Sequence, residues 1–246
     1  MTRKDILTKK HLRIIMIVDR SGSMVGEPIA QVNAAMGPLK KKLCKAAEEN
    51  NVEVEIKVIV FNDKAHCVVG SESSWEKLGN FTWQEISAEG GTSTPKALKI
   101  ANESLRLDGE EKVAHMLAPV VILLTDGACN PDEIRAYKNE IERMKGKLSG
   151  NTGKEKVIRI GISVGADEKD KMEQIADFAS IGKLNDEDAP LIFKVDHAEK
   201  LATVINWVTV TSLHASMLPG QDDAFDMGDV EDMDEEWITE EDMEEA

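Results

Sequence analysis

Three short stretches of this chain carry oxygen donors at spacings that suit chemistry. In Asp19-Arg20-Ser21-Gly22-Ser23, a carboxylate and two hydroxyls occupy alternate positions of a turn. One charged and two neutral oxygens suit a hard cation, Mg²⁺ or Mn²⁺ ahead of Ca²⁺. Alone, the same spacing also describes a helix start with Ser23 as its N-cap, so partners elsewhere must decide between the two. Glu89-Gly90-Gly91-Thr92-Ser93-Thr94-Pro95 is a glycine turn opening a helix, and Val120-Val121-Ile122-Leu123-Leu124-Thr125-Asp126-Gly127 is an apolar run ending in aspartate. The candidate metal ligands are therefore Asp19, Ser21, Ser23, Thr92 and Asp126. Each has an ordinary role open to it as well: either aspartate can cap a neighbouring helix, Gly90-Gly91 can be a tight turn, and Thr92 can cap the helix at Pro95.

Positioning these groups requires strands that end where they sit. Ile14 to Val18 is an unbroken apolar run, the pattern of a parallel strand covered on both faces, and Val120 to Leu124 is a second. Ligands collect at the carboxyl ends of such strands. Between them, Glu27-Pro28 starts a helix whose stripe is Ile29, Val32, Met36, Leu39 and Leu43, with a kink expected at Gly37-Pro38. Val52 to Phe61 reads as a strand, and Ala65 to Val69 pairs back on it as an antiparallel edge, which makes His66 a strand side chain. Residues 70–89, with Trp75 and Trp83, read as a surface excursion with a short helix and partly buried aromatic anchors. Further along come a helix from Pro95 to Leu107, a helix with Ile134, Tyr137, Ile141 and Met144 inward, a loop at Gly150–Gly153 and a strand from Val157 to Val164. A helix over Asp170–Ser180, a short strand from Leu191 to Val195 and a closing helix from His197 to Leu213 complete the order. Alternation of this kind predicts an α/β fold: a three-layer, doubly wound, mostly parallel sheet with one antiparallel edge strand.

The joint pattern, Asp19-x-Ser21-x-Ser23, then Thr92 after Gly-Gly, then Asp126 in Leu-Leu-Thr-Asp-Gly, resembles the metal-ion-dependent adhesion site of von Willebrand factor type A domains. The resemblance covers residues 12–213. It implies that the Ser21 and Ser23 hydroxyls contact the metal directly, Thr92 directly or through water, and Asp19 and Asp126 mostly through water. It also implies an incomplete coordination shell that a partner protein's Asp or Glu fills. Arg20, at a variable position, is expected to point away from the ion. Ser21-Gly22-Ser23-Met24-Val25-Gly26-Glu27-Pro28-Ile29 is similar to the bacterial tellurite-resistance TerY group of stand-alone cytoplasmic domains. That likeness implies a non-enzymatic scaffold in a stress or phosphorylation-linked system, with a kinase or phosphatase encoded nearby as a candidate partner.

Other chemistries fit less well. A metal-assisted phosphatase of the haloacid-dehalogenase type needs Asp-x-Asp at the strand end, and the earlier position here is Leu124. Gly90 to Lys96 lacks the Gly-Lys-Ser/Thr ending of a phosphate loop. The five histidines fall at no ligand spacing, and Cys44, Cys67 and Cys129 are an odd number at unrelated spacings, read as small buried hydrophobes. No stretch reaches a membrane span and no signal-peptide core follows Met1, so a cytoplasmic location is expected.

The formal net charge of −16 is unevenly placed. Asp222 to Ala246 holds fourteen acids and no base, leaving 32 acids against 30 bases in residues 1–221, a body near neutrality at −2. Without a basic stripe, nucleic acid is a poor partner. We divide the chain into a domain over 1–213 and an acidic tail over 214–246, whose composition predicts disorder when free. Trp237 and Ile238, framed by acids, are a candidate docking motif for a second protein. Alternatively a tail carboxylate reaches and occludes the metal position, since a chain of this length spans on the order of 30 Å.

Overall fold

The computed structural model describes residues 9–105, 116–127, 129–146, 157–165, 169–184, 187–195, 200–205, 207 and 225–226. Its main sheet contains β1 (Lys10–Asp19), β2 (Val52–Phe61), β3 (Ala65–Val69), β4 (Glu76–Lys77), β5 (Val120–Thr125), β6 (Ile158–Val164) and β9 (Ile192–Val195). The order is β3-β2-β1-β5-β6-β9, with β4 also on β2. All pairings are parallel except those of β3 and β4 with β2. The expected α/β architecture with its antiparallel edge is what the chain adopts.

β1 is central, and its residues from Ile14 to Val18 are buried on both faces. Alternation along a strand sends Leu12, Ile14, Met16 and Val18 to one layer and Ile15 and Ile17 to the other. The first layer is α1 (Glu27–Glu49) together with the helical residues 200–205. The second is α2 (Thr94–Ser104), α3 (Ile134–Gly146) and α4 (Lys169–Phe178). Because the chain runs from β1 to β2 on one side and later returns to β5 on the other, the order reverses at β1. In open α/β sheets ligands bind beyond the carboxyl ends of the strands at such a switch point, here the ends of β1 and β5.

α1 runs unbroken through Gly37-Pro38. The bond Pro38 cannot donate would go to Ala34, and both residues are exposed on the solvent side while Val32, Met36, Leu39 and Leu43 stay buried. Trp83 is half-buried, its Nε1 donating to Asn33 Oδ1 of α1 at 3.2 Å. The Arg13 guanidinium and the Lys57 ammonium lie 5.0 and 4.8 Å from the Trp75 ring centroid. Lys57 is fully buried and donates to Ser104 Oγ at 2.8 Å.

A second sheet has no counterpart in the sequence reading. β7 (Ile181–Leu184) and β8 (Glu187–Pro190) form an antiparallel hairpin, and β10 (Phe225–Asp226) adds to β7 in parallel. The hairpin is fastened beside β6 by the Ser180 N–H on Arg159 O at 2.8 Å and the Leu191 N–H on Ser180 O at 2.9 Å. Two residues of the acidic tail are thus paired to the body; Trp237 and Ile238 lie outside the described residues, as do the Gly150–Gly153 loop and the end of the closing helix from 208 onward.

Contact between β6 and α4 depends on Gly161. A Cβ there would lie 2.2 Å from Ile175 Cγ2, and Ile175 is itself buried. Gly161→Ala is expected to destabilise by about 1–3 kcal/mol through overpacking. A urea-unfolding midpoint unchanged from the wild type would show that α4 yields freely at this contact.

Candidate metal centre

Asp19 is the last residue of β1, and Asp126 follows the last residue of β5, so strand pairing alone brings the two acids to the same end of the sheet. The Asp19 carboxylate is fully buried. Its Oδ1 accepts from the Ser21 N–H at 2.8 Å and its Oδ2 accepts from Thr125 Oγ1 at 2.6 Å. Thr125 Oγ1 in turn accepts from the Gly127 N–H at 3.1 Å, which locks the end of β5 to the end of β1. Burial pushes the Asp19 carboxyl up to about 6, opposed by the bonds from Thr125 and Ser21 and reinforced by the nearby Asp126 charge. A buried carboxylate in this state gains from a cation.

Beyond β1 the chain forms a 3-10 turn, Gly22–Met24. Ser21 is buried and Ser23 exposed, with their hydroxyl oxygens 3.1 Å apart. Neither caps a helix: α1 begins after Gly26, and no side-chain bond caps the 3-10 turn or α1. Nor does Thr92 cap α2, whose N-cap is Ser93, also without a side-chain bond. Asp126 is separated from α3 by a turn that Asn130 caps through the Asp132 N–H. The ordinary helix-capping roles open to Ser23, Thr92 and Asp126 are therefore not the ones they take.

The half-buried Thr92 is carried to this end by backbone bonds on both sides. The Gly22 N–H donates to Gly90 O and the Glu89 N–H to Arg20 O, both at 2.8 Å, and the Asn130 N–H donates to Thr92 O at 3.3 Å. Arg20 turns its guanidinium to Glu89, 2.6 Å away. Thr125 is the functional neighbour that sequence reasoning passed over. Its position immediately before Asp126 was the available signal, but the partner of its hydroxyl depends on strand register. The Asn62-Asp63-Lys64 turn against the Gly90-Gly91 segment was missed for the same reason.

Asp19, Ser21, Ser23, Thr92 and Asp126 lie on three loops that backbone bonds and strand pairing bring to one topological switch point, and their oxygens are of the types a hard divalent cation takes. The sequence profile of the von Willebrand factor type A domain matches residues 14–206. This chain belongs to that family. The VWA domain is 31% identical over 115 residues to mouse inter alpha-trypsin inhibitor heavy chain 4, and 29% identical over 117 residues to the uncharacterised Synechocystis protein sll0103. Those stretches are 46% and 47% of this chain but only 12% and 25% of the two relatives. Among solved structures, mussel byssus proximal thread matrix protein 1 with a zinc-occupied MIDAS motif superposes with a TM-score of 0.53 at 20% identity, covering 83% of this chain and 46% of that one. The PilB minor pilin of Streptococcus sanguinis gives 0.58 at 12% identity, covering 88% and 64%. Likeness at these identities shows the fold. Among the described residues no helix is long and apolar enough to cross a membrane.

Proposed function

We propose that this VWA domain is a non-enzymatic protein-binding module whose Asp19, Ser21, Ser23, Thr92 and Asp126 hold Mg²⁺ or Mn²⁺, and that a partner protein's carboxylate completes the coordination. The observation that carries this reading is the pair of Ser21 and Ser23 hydroxyls, facing each other beside the buried Asp19 carboxylate and capping nothing. A bound divalent ion supplies a Lewis-acidic position there, and a donor set rich in neutral hydroxyls leaves it attractive to an external acid. The zinc in the MIDAS motif of the mussel protein supports a divalent ion at this place in the fold. Metal-assisted phosphoryl transfer is disfavoured because the position for its second acid holds the fully buried Leu124.

The finer reading follows the Ser21–Ile29 resemblance: a cytoplasmic scaffold in a bacterial tellurite-resistance or other stress system, its partner a kinase or phosphatase. In the same reading Trp237-Ile238 docks a second protein. Pairing of Phe225-Asp226 with β7, whose first residue follows the Ser180 contact to Arg159 near the start of β6, favours docking over occlusion of the metal. The strands' opposite ends carry Asp19 and Asp126.

Calorimetric titration of Mg²⁺ and Mn²⁺ into the full chain and a chain ending at Leu213 tests the reading. One ion per chain with equal affinity in both is expected. With Mn²⁺ bound, a glutamate-bearing peptide should lower water-proton relaxation, and its glutamine counterpart should not. Metal binding lost on truncation would place the ions in the tail and end the proposal.

A further inference from the structure

The turn Asn62-Asp63-Lys64, which joins β2 to β3, wraps the segment that presents Thr92. Asn62 Nδ2 donates to Glu89 O at 3.1 Å, and Asn62 O accepts from the Ser93 N–H at 2.8 Å. Asp63 Oδ2 accepts from the Gly91 N–H at 3.0 Å, while Lys96 Nζ, in the first turn of α2, donates to Asp63 O at 2.7 Å. On its other side the segment is held by the Gly22 and Arg20 backbone bonds described above. Residues 89–93 therefore run between two walls, the end of β1 and the β2–β3 turn.

The glycines match the second wall. Gly90 has φ +79°, and a Cβ there would lie 2.5 Å from Asp63 Oδ2. A Cβ on Gly91 would lie 2.5 Å from Asp63 Oδ1. The Gly-Gly pair before Thr92 is thus shaped to admit the Asp63 carboxylate as well as to turn the chain. Asp63 is exposed and takes no part in the apolar core, so its grip can be removed without opening the fold.

We propose that Asp63 is a positioning residue: by gripping the Gly90-Gly91 turn it holds Thr92 at the metal centre, and so sets the affinity for the ion. The inference rests on the metal-site reading above. Without the carboxylate, the segment keeps its bonds to Gly22, Arg20 and Asn62 but loses the one on Gly91, the residue next to Thr92, and the Thr92 hydroxyl is held less closely to one place. Outer contacts that orient a ligand in this way are generally worth 10- to 100-fold in metal affinity.

The test is Mn²⁺ titration calorimetry on the full chain and four variants, Asp63→Ala, Asp63→Asn, Gly91→Ala and the double variant Asp63→Ala/Gly91→Ala, with the metal-free melting temperature of each. Asp63→Ala is expected to weaken Mn²⁺ binding at least about tenfold, while its metal-free melting temperature stays within about 2 °C of the wild type, as for an exposed substitution. Asp63→Asn should recover most of the affinity, because the amide oxygen still accepts from the Gly91 N–H. Gly91→Ala alone should weaken binding, and added to Asp63→Ala it should cost little more, since the obstructing carboxylate is gone. Wild-type affinity in Asp63→Ala would overturn the proposal. So would an Asp63→Asn variant as weak as Asp63→Ala, which would assign the effect to charge, or strict additivity of the two alanine substitutions. A wild-type chain that binds no Mn²⁺ at all would instead bring down the metal-site reading itself.

Discussion

Replacing Asp19 and Ser21 together by alanine is expected to abolish the stabilisation that Mg²⁺ or Mn²⁺ gives this domain, while leaving the metal-free protein folded. An ion that binds only the native state stabilises by RT ln(1 + [L]/Kd), about 2.7 kcal/mol at one hundred times the dissociation constant. The double variant removes a buried carboxylate and the hydroxyl that faces Ser23, and should gain nothing from the same ion concentration. Its metal-free stability is the sum of opposed effects. Losing the acceptor leaves the Ser21 N–H and the Thr125 hydroxyl without Asp19, a cost of about 1–3 kcal/mol for a buried group. Removing a carboxylate whose pKa burial has raised to about 6 relieves a penalty of about 3 kcal/mol. With two groups left unpartnered, cost and relief offset each other to within about 3 kcal/mol, so the fold should survive. Thermal unfolding with and without metal gives the answer, and an equal rise in melting temperature for wild type and variant would sink the assignment of the site.

The second large effect is a pH dependence of the metal-free protein. Asp19 titrates near 3.8 when exposed and at about 6 in the fold. Between those values the native state keeps a proton that the unfolded chain has released, so stability falls as pH rises through the window. The native state bears no penalty for Asp19 below pH 4 and the whole penalty, about 3 kcal/mol, above pH 6. An ion at the site takes the place of that proton, so metal-induced stabilisation should grow across the same interval. Denaturant unfolding of wild type and Asp19→Asn from pH 4 to 7, in chelator, isolates the contribution, because the amide does not titrate. The stability difference between the two should shift by about 3 kcal/mol in favour of the amide. A difference constant with pH would show that the carboxylate is charged and content in the folded protein.

The buried strands were legible where they are unbroken apolar runs, and their order in the sheet was not. Ile14 to Val18 and Val120 to Leu124 have the pattern of strands covered on both faces, and the turn residues that follow each set their length. The hairpin of β7 and β8 was not legible. Glu187-Asp188-Ala189-Pro190 has no apolar alternation, and its pairing depends on Ser180 and Leu191 being tied to β6 and to one another. In α1, the helix runs on through Pro38, where the lost bond falls on the solvent face. The stripe periodicity showed which face is buried, but not that the missing bond would cost so little there.

At the centre itself, Asp19, Ser21, Ser23, Thr92 and Asp126 were visible as residue types at the ends of readable elements. The shared location of Asp19 and Asp126 follows from parallel pairing of β1 with β5, a long-range fact that local pattern implies once the fold class is known. Thr92 is brought there by the backbone bonds of residues 89–93. The hydroxyl of Thr125 on Asp19 and the carboxylate of Asp63 on Gly91 are a different matter. Each joins residues on separate strands or turns, at distances that register and loop path decide and that no local spacing encodes. The sequence by itself determined which donors exist and which strands end in them, since residue chemistry and hydrophobic period are local properties. Only the tertiary structure decided which hydroxyls are left uncapped, how deeply Asp19 is desolvated, and which turn grips the segment bearing Thr92, because burial and hydrogen-bond partnership are properties of elements brought together.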